Sequence, residues 1–180
     1  VSYHRHNCST AGPAIVDRLL AGESCALVTD AGTPAISDPG EDLVALCAQQ
    51  DIPVEAVPGP CALICALSVS GLPTARFTFE GFLPQNKKNR RSHLDSLKGE
   101  QRTMVFYEAP HKLEDTLEDF VAVFGAERRI ALCRELTKLH EEVVRTTVGQ
   151  GLAECATRPP RGEDVLVVGG APEGPGQEAD

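Results

Sequence analysis

The residues suited to chemistry fall in two small-residue loops, one acidic turn and two charged clusters. The first loop is Asp30-Ala-Gly-Thr-Pro-Ala-Ile-Ser-Asp-Pro-Gly40, and the second is Pro58-Gly-Pro60. Gly32 lets a backbone come close to a ligand, and Pro34 and Pro39 lower the entropy of ordering the loop. Such a loop either cradles a small molecule or simply makes a tight connection, and its composition leaves both open. Glu108, in Phe106-Tyr-Glu-Ala-Pro110, is placed to act on a substrate proton or to complement the dipole of the helix that follows. Lys87, Lys88, Arg90 and Arg91 put four positive charges within five residues. That run suits contact with several phosphates, or a solvated helix face. Arg134, Glu135, Lys138 and Glu141 form a second cluster, either functional or a surface ion-pair group.

These residues need elements to hold them. Cys25–Val28 is a short apolar run leading into the first loop, and Pro39-Gly-Glu-Asp42 opens a helix carrying Leu43, Val44, Leu46 and Cys47. Ile52–Val57 repeats the pattern ahead of Pro58–Pro60, and Cys61–Val69 follows as an almost wholly apolar helix, expected to be buried on most sides. Two successive strand–loop–helix units of a parallel sheet are therefore expected, with both loops on the same rim. Thr10 caps a helix through Leu20. After Leu72 the pattern changes. Arg76–Leu83 alternates as a strand, with Phe77, Phe79 and Gly81 on one face. Gln85–Lys98 is an amphipathic helix with a basic start. Met104–Tyr107 is a buried strand, His111–Phe124 a helix, Arg129–Cys133 a strand, Val143–Val148 a strand, Gly151–Ala156 a short helix and Val165–Val168 the last strand. The fold class expected is α/β in two domains, residues 1–73 and 74–171, with a disordered Gly-, Pro- and acid-rich tail at 172–180.

The bulk composition sets limits. The chain has 180 residues, 42% hydrophobic but only 4% aromatic, and a net charge of −9, which argues against a surface that binds nucleic acid all over while allowing a local basic patch. Seven Cys form no CxxC pair, which suits a reducing cytoplasm. No metal-ligand spacing is present, no signal peptide is visible, and no run approaches the ~20 apolar residues of a membrane span. Val1 leads directly into Ser2-Tyr3-His4, so the chain reads as a piece of something longer.

Five segments occur in order: the Asp30–Gly40 loop; Pro58-Gly-Pro60 with Ala62-Leu63 and Ser70-Gly-Leu-Pro73; Phe79-Glu-Gly-Phe-Leu-Pro84; Phe106-Tyr-Glu-Ala-Pro110; and Arg134-Glu-Leu-Thr-Lys-Leu-His-Glu141. Together, from Ser2 to about Gly170, they resemble the small-subunit ribosomal RNA (cytidine-2′-O)-methyltransferases of the tetrapyrrole methylase superfamily. The resemblance implies two α/β domains with S-adenosylmethionine in a cleft between them, the first domain truncated at its N-terminus, and a homodimer. It implies cofactor contacts from Ala31, Gly32, Thr33, Ile36, Cys61, Ala62, Tyr107 and Leu136, with Glu108 also at that edge. The family usually has Ser at the Cys61 position and Glu at the Arg5 position. It also has an Ala-Thr-Pro-Ile-Gly-Asn-type loop upstream that this chain lacks, so a fragment or a truncated gene product is expected.

Methyl transfer from a sulfonium is an in-line displacement in which the protein mainly positions the reactants. A ribose 2′-hydroxyl is a weak nucleophile, so a base or an alkoxide-stabilising charge should help, with Glu108 and Lys138 as the chosen catalytic residues and Glu135 and Glu141 as further candidates. Lys87, Lys88, Arg90 and Arg91 are the RNA contacts expected on small-subunit ribosomal RNA, with His111 and Lys112 alongside. The competing readings are a methylase of a tetrapyrrole-like small molecule and a non-catalytic cofactor- or RNA-binding fragment.

Overall fold

The computed structural model describes residues 1–158 and 162–172. The expected tail at 172–180 therefore lies outside the described residues except for its first. The chain separates into two compact units, Val1–Cys61 and a second that begins at Ala62.

In the first unit, helix α1 (Cys8–Leu20) packs on helix α2 (Glu41–Gln49). Ile15 and Val16 of α1 meet Leu43 and Cys47 of α2, and Tyr3, Leu19, Leu46 and Ile52 close the edges of this small core. Gly40 precedes α2 with φ 139°, and a β-carbon there would come within 2.5 Å of Leu27 Cδ2. Glu41 and Asp42 complement the helix dipole in the first turn.

The two strands expected in this unit do not form. Cys25–Val28 and Ile52–Val57 run without regular structure and pair with no ladder among the described residues. Val28 and Val57 are 81% and 88% exposed. Apolar character alone does not make a strand; its N–H and C=O groups need a neighbour. The first segment instead borders a groove of about 620 Å³, whose walls include Tyr3, Ile15, Leu19 and Leu43.

The second unit carries a five-stranded sheet in the order β1-β2-β5-β3-β4. The strands are β1 (Phe77–Phe82), β2 (Thr103–Glu108), β3 (Arg129–Arg134), β4 (Glu142–Thr147) and β5 (Asp164–Val168). Only β1 and β2 are parallel; the other three pairs are antiparallel. Met104 and Phe106 of β2, Leu166 and Val168 of β5, and Ile130 and Leu132 of β3 point to one face. There they pack on α4 (Lys87–Ser96), α5 (Leu113–Phe124) and α6 (Val148–Thr157), with Leu94, Leu117, Phe120 and Val148 fully buried. Phe120 stacks between Phe106 and Phe124 at ring distances of 5.0 and 5.2 Å.

Helix α3 (Ala62–Val69), placed with the first domain on sequence, packs on β2 and β5. Only one side of it is buried, through Leu63, Ala66 and Leu67, while Ile64 is exposed. Its first turn is tied by Leu63 N–H donating to Tyr107 Oη at 3.1 Å, and its last by the Arg145 guanidinium donating to Val69 O at 2.6 and 2.9 Å.

Strand β1 departs from simple alternation. Its register jumps between Phe79 and Gly81, leaving Glu80 as the extra residue of a bulge, with Gly81 at φ 61°. The bulge brings Phe79 and Phe82, three residues apart, to the same Tyr107 ring, at 5.0 and 5.6 Å. The helix boundaries fall within a few residues of those expected, but Thr10 does not cap α1: Asn7 stands at the cap, and Thr10 lies inside the helix with its hydroxyl donating to Asn7 O. Asn86 caps α4 through Lys88 N and Asn89 N, and a short 3₁₀ turn, Pro110–Lys112, precedes α5.

Truncating the central ring of this core is expected to be costly. Phe120→Ala should lower unfolding stability by about 3–5 kcal/mol, read from the denaturant midpoint.

Candidate active site

The first loop holds an unusual backbone. Gly32 has φ 74°, and Ala35 and Ser37, which are not glycines, have φ 65° and 63°. Left-handed conformations at ordinary residues cost energy and gather at ligand-binding turns. Thr29 Oγ1 donates to Asp38 Oδ2 at 3.0 Å and closes the loop across its base. Thr33 Oγ1 donates to Pro60 O at 2.9 Å, so the two Gly- and Pro-bearing loops meet even though the strands expected to carry them are absent. Ala31, Gly32 and Ile36 are exposed, Thr33 and Cys61 half-buried.

In the second unit, Ala62 opens α3 and is exposed, and Tyr107 sits below that helix start with its hydroxyl on Leu63 N–H. Glu108, the next residue, points to the opposite face of the sheet and is 5% exposed. Both of its carboxylate oxygens are engaged: Oε1 accepts from Ala109 N at 2.9 Å and Oε2 from Thr116 Oγ1 at 2.6 Å. Of the basic run, Lys87, Lys88 and Arg91 are exposed. Arg90 is not: it is 9% exposed, its Nε lies 2.6 Å from Asp119 Oδ2, and its Nη2 donates to Thr116 Oγ1 at 3.1 Å. The expected RNA role of Arg90 is therefore corrected. A helix turns about 100° per residue, so consecutive cations cannot all face outward.

Glu108 belongs to a row of charges at one end of the sheet. Its register partner is Asp164 on β5, whose partner on β3 is Arg134, whose partner on β4 is Glu142. Arg134 Nε donates to Asp164 Oδ1 at 3.1 Å, and its Nη1 lies 3.4 Å from Glu142 Oε2. Arg158 Nη1 adds a 2.9 Å contact to Glu142. Asp164 is 2% exposed, and its Oδ2 has no hydrogen-bond partner among the described residues. Burial pushes its carboxyl up to about 6; the Arg134 guanidinium pulls against that, and the Glu135 and Glu108 carboxylates add to it. Sequence reasoning passed over Asp164 and Thr116. The readable signal for Asp164 was an acid directly before the wholly apolar run Val165–Val168.

Beyond β3, Glu135 and Thr137 take left-handed φ values of 48° and 66° and set Leu136, half-buried, between them. Lys138 Nζ bridges Glu135 at 3.0 Å and Glu163 at 3.3 Å, and these two carboxylates raise its pKa. Glu163 N donates to Glu135 Oε1 at 2.9 Å, which pins the same loop. Lys138 is thus paired with Glu135 and Glu163 and carries no hydrogen bond to Glu108. Burial raises the Cys133 thiol to about 11, as befits a core hydrophobe rather than a nucleophile. Among the described residues no group of three or more His, Cys, Asp or Glu side chains is placed to hold a metal, and no helix is long and apolar enough to cross a membrane.

Residues 3–151 match the family model described as Tetrapyrrole (Corrin/Porphyrin) Methylases. The chain is 46% identical over 170 residues to a Ribosomal RNA small subunit methyltransferase I of Halalkalibacterium halodurans, covering 94% of this chain and 58% of that protein. The protein of the same name in Thermotoga maritima is 43% identical over 170 residues, covering 94% and 76%. The chain spans about three fifths of the length of the first curated relatives it matches, from 58% to 63%. Among solved structures it is similar to a cobalt precorrin-4 methyltransferase, with TM-score 0.62 and 17% identity over 89% of this chain and 70% of that one. It is also similar to a uroporphyrin-III C-methyl transferase from Thermus thermophilus complexed with S-adenosyl homocysteine, with TM-score 0.59 and 16% identity over 87% and 70%. At those identities the structural likeness shows the fold alone.

The Asp164 carboxyl keeps its proton in the folded state between about pH 4 and 6, where the unfolded chain has lost it. Its charge therefore opposes folding above about pH 6, and that cost is relieved as the pH falls towards 4. Unfolding free energy measured from pH 7 to pH 4 should contain a favourable term of up to about 3 kcal/mol from this group. Asp164→Asn should remove that term from the slope, whatever it does to absolute stability.

Proposed function

The chain belongs to the tetrapyrrole (corrin/porphyrin) methylases, and from that membership we propose that it transfers a methyl group from S-adenosylmethionine to the 2′-hydroxyl of a cytidine in small-subunit ribosomal RNA. The observation that carries the substrate is the 43–48% identity, over nearly all of the chain, to relatives named Ribosomal RNA small subunit methyltransferase I. The solved tetrapyrrole-type methyltransferases, at 16–17% identity, share the architecture and lend no weight to a small-molecule substrate.

Ala31, Gly32, Thr33, Ile36 and Cys61 are assigned to the cofactor. The support is the contact between their two loops and the left-handed backbone at residues 32, 35 and 37. Ala62, Tyr107 and Leu136 are assigned to it from the second unit on the resemblance. S-adenosylmethionine held by these residues would supply the methyl group for in-line displacement by the ribose oxygen, leaving as a neutral thioether, while the hydroxyl proton would pass to solvent or to a base. Lys138, held protonated by Glu135 and Glu163, suits stabilisation of the forming alkoxide rather than proton removal. Glu108, with both oxygens committed inside the protein, is assigned a positioning role. Lys87, Lys88 and Arg91 are assigned to RNA phosphates. Lys87 and Lys88 stand in the first turn of α4, which has no acidic residue, so the positive helix end and two ammonium groups reinforce one another.

Calorimetry and filter binding test the two halves separately. Gly32→Val should weaken S-adenosylmethionine binding by about tenfold or more, because φ 74° is strained for a branched residue. Reversing charge at Lys87, Lys88 and Arg91 together should cut RNA affinity by about 10²-fold with cofactor affinity intact. A chain that binds the cofactor tightly but is indifferent to those reversals would sink the RNA assignment and leave the methylase one standing.

A further inference from the structure

We infer that Arg90 is a positioning residue that fixes the outward cations of α4 relative to the end of β2, through a buried relay Asp119–Arg90–Thr116–Glu108. The inference rests on the RNA reading of α4 above and deepens it.

Helix α4 is strongly polar and has only two buried residues, Arg90 and Leu94, four positions apart on its inward side. Leu94 supplies apolar contact, which slides easily. Arg90 supplies direction. A nearly buried guanidinium has to be met by an acid and by acceptors in its own plane, or its burial is unfavourable. Asp119 Oδ2 lies 2.6 Å from Nε as the ion-pair partner, and Thr116 Oγ1 accepts from Nη2 at 3.1 Å. Arginine has no acceptor, so the Thr116 hydroxyl accepts from it and spends its single proton on Glu108 Oε2, 2.6 Å away. Glu108 Oε1 then takes the Ala109 N–H at the turn into α5. One ion pair and three hydrogen bonds thus run from α4 through α5 to the last residue of β2, although Arg90 Nε faces Asp119 as an ion pair without hydrogen-bond geometry. Each member fixes the orientation of the next, which apolar packing does not do.

The consequence is that Lys87, Lys88 and Arg91 stand at set places on the surface although their own side chains are long and flexible. Phosphate contacts set the register of a nucleic acid on a protein, so a shift of the helix misplaces the RNA without any change in net charge.

The test uses the intact protein, small-subunit ribosomal RNA and a series of salt concentrations. Thr116→Val removes the relay hydroxyl and no charge; Arg90→Lys keeps the charge and loses the planar fork. Each should weaken RNA binding by about tenfold with the slope of log K against log salt unchanged and S-adenosylmethionine affinity unchanged. The double variant should be no worse than the weaker single one, since both break one unit. Amide exchange should show lost protection in α4 with β2 and β5 retained. Thr116→Ser, which keeps the hydroxyl, should restore binding and guards against a Val variant that folds poorly. Lys88→Gln, by contrast, should reduce the slope by about 0.7–0.9, as one lost phosphate contact does. The inference is overturned if Thr116→Val binds RNA and protects α4 like the parent protein, or if Arg90→Gln lowers the slope just as Lys88→Gln does. If Lys87→Gln and Lys88→Gln alter neither affinity nor slope, the RNA reading of α4 fails, and α4 exchange in Thr116→Val then decides the relay alone.

Discussion

A charge withdrawn from water must be met by another, and the second unit is arranged around that demand. Glu108, Asp164 and Arg90 are all nearly inaccessible, and all lie on the helix-bearing face of the sheet or against it. Arg90 reaches α5, where it answers Asp119, and Arg134 reaches β5 and β4, where it answers Asp164 and Glu142. Replacing such groups by apolar ones is often neutral or stabilising, whereas removing one partner is severe. Their presence at the ends of β2, β3 and β5, beside Tyr107 and the loop that carries Leu136, suits specification of geometry more than stability. Asp164 keeps one oxygen without a partner among the described residues, so within them the balance is not complete.

The first unit follows a different rule. Its core is four side chains and their neighbours, and its two loops are held by hydroxyl groups: Thr29 on Asp38, Thr33 on Pro60. Backbone conformation, not side-chain charge, shapes it. The loop keeps Ala35 and Ser37 in a region that ordinary residues avoid, and a substituent at Gly40 would have to displace Leu27.

Much of this was readable from residue order. Helices announced themselves through caps and spacing: the Leu113, Leu117, Phe120 and Phe124 series marked α5, and Gly125 its end. Val165–Val168, uninterrupted and apolar with three valines, marked a strand, and the structure buries it on both faces. Local pattern failed where the deciding partner is remote or missing. Cys25–Val28 and Ile52–Val57 have strand composition and no ladder to join. The Phe79–Phe82 bulge sets both rings against Tyr107 on the neighbouring strand, and nothing in Phe-Glu-Gly-Phe beyond its glycine signals it. Arg90 looked like one of four equivalent cations, because charge is legible in a sequence and orientation is not. The meeting of the two loops was legible, since their glycines and prolines reported the turns directly.

Among the described strands β5 comes last in sequence, yet it lies in the middle of the sheet, antiparallel to both neighbours. During synthesis β1 with β2, and β3 with β4, can pair as soon as they leave the ribosome, but each pair then waits with one open edge. Asp164–Val168 is the wedge that joins them, and it emerges after everything it must join. Until then β2 and β3 present unpaired backbone and the apolar faces of Val105, Phe106 and Leu132, which are the features that draw chaperones and seed aggregation. The architecture thus puts its folding risk in the interval before β5, and makes a chain ended before Asp164 a pair of half-sheets rather than a slightly shorter protein.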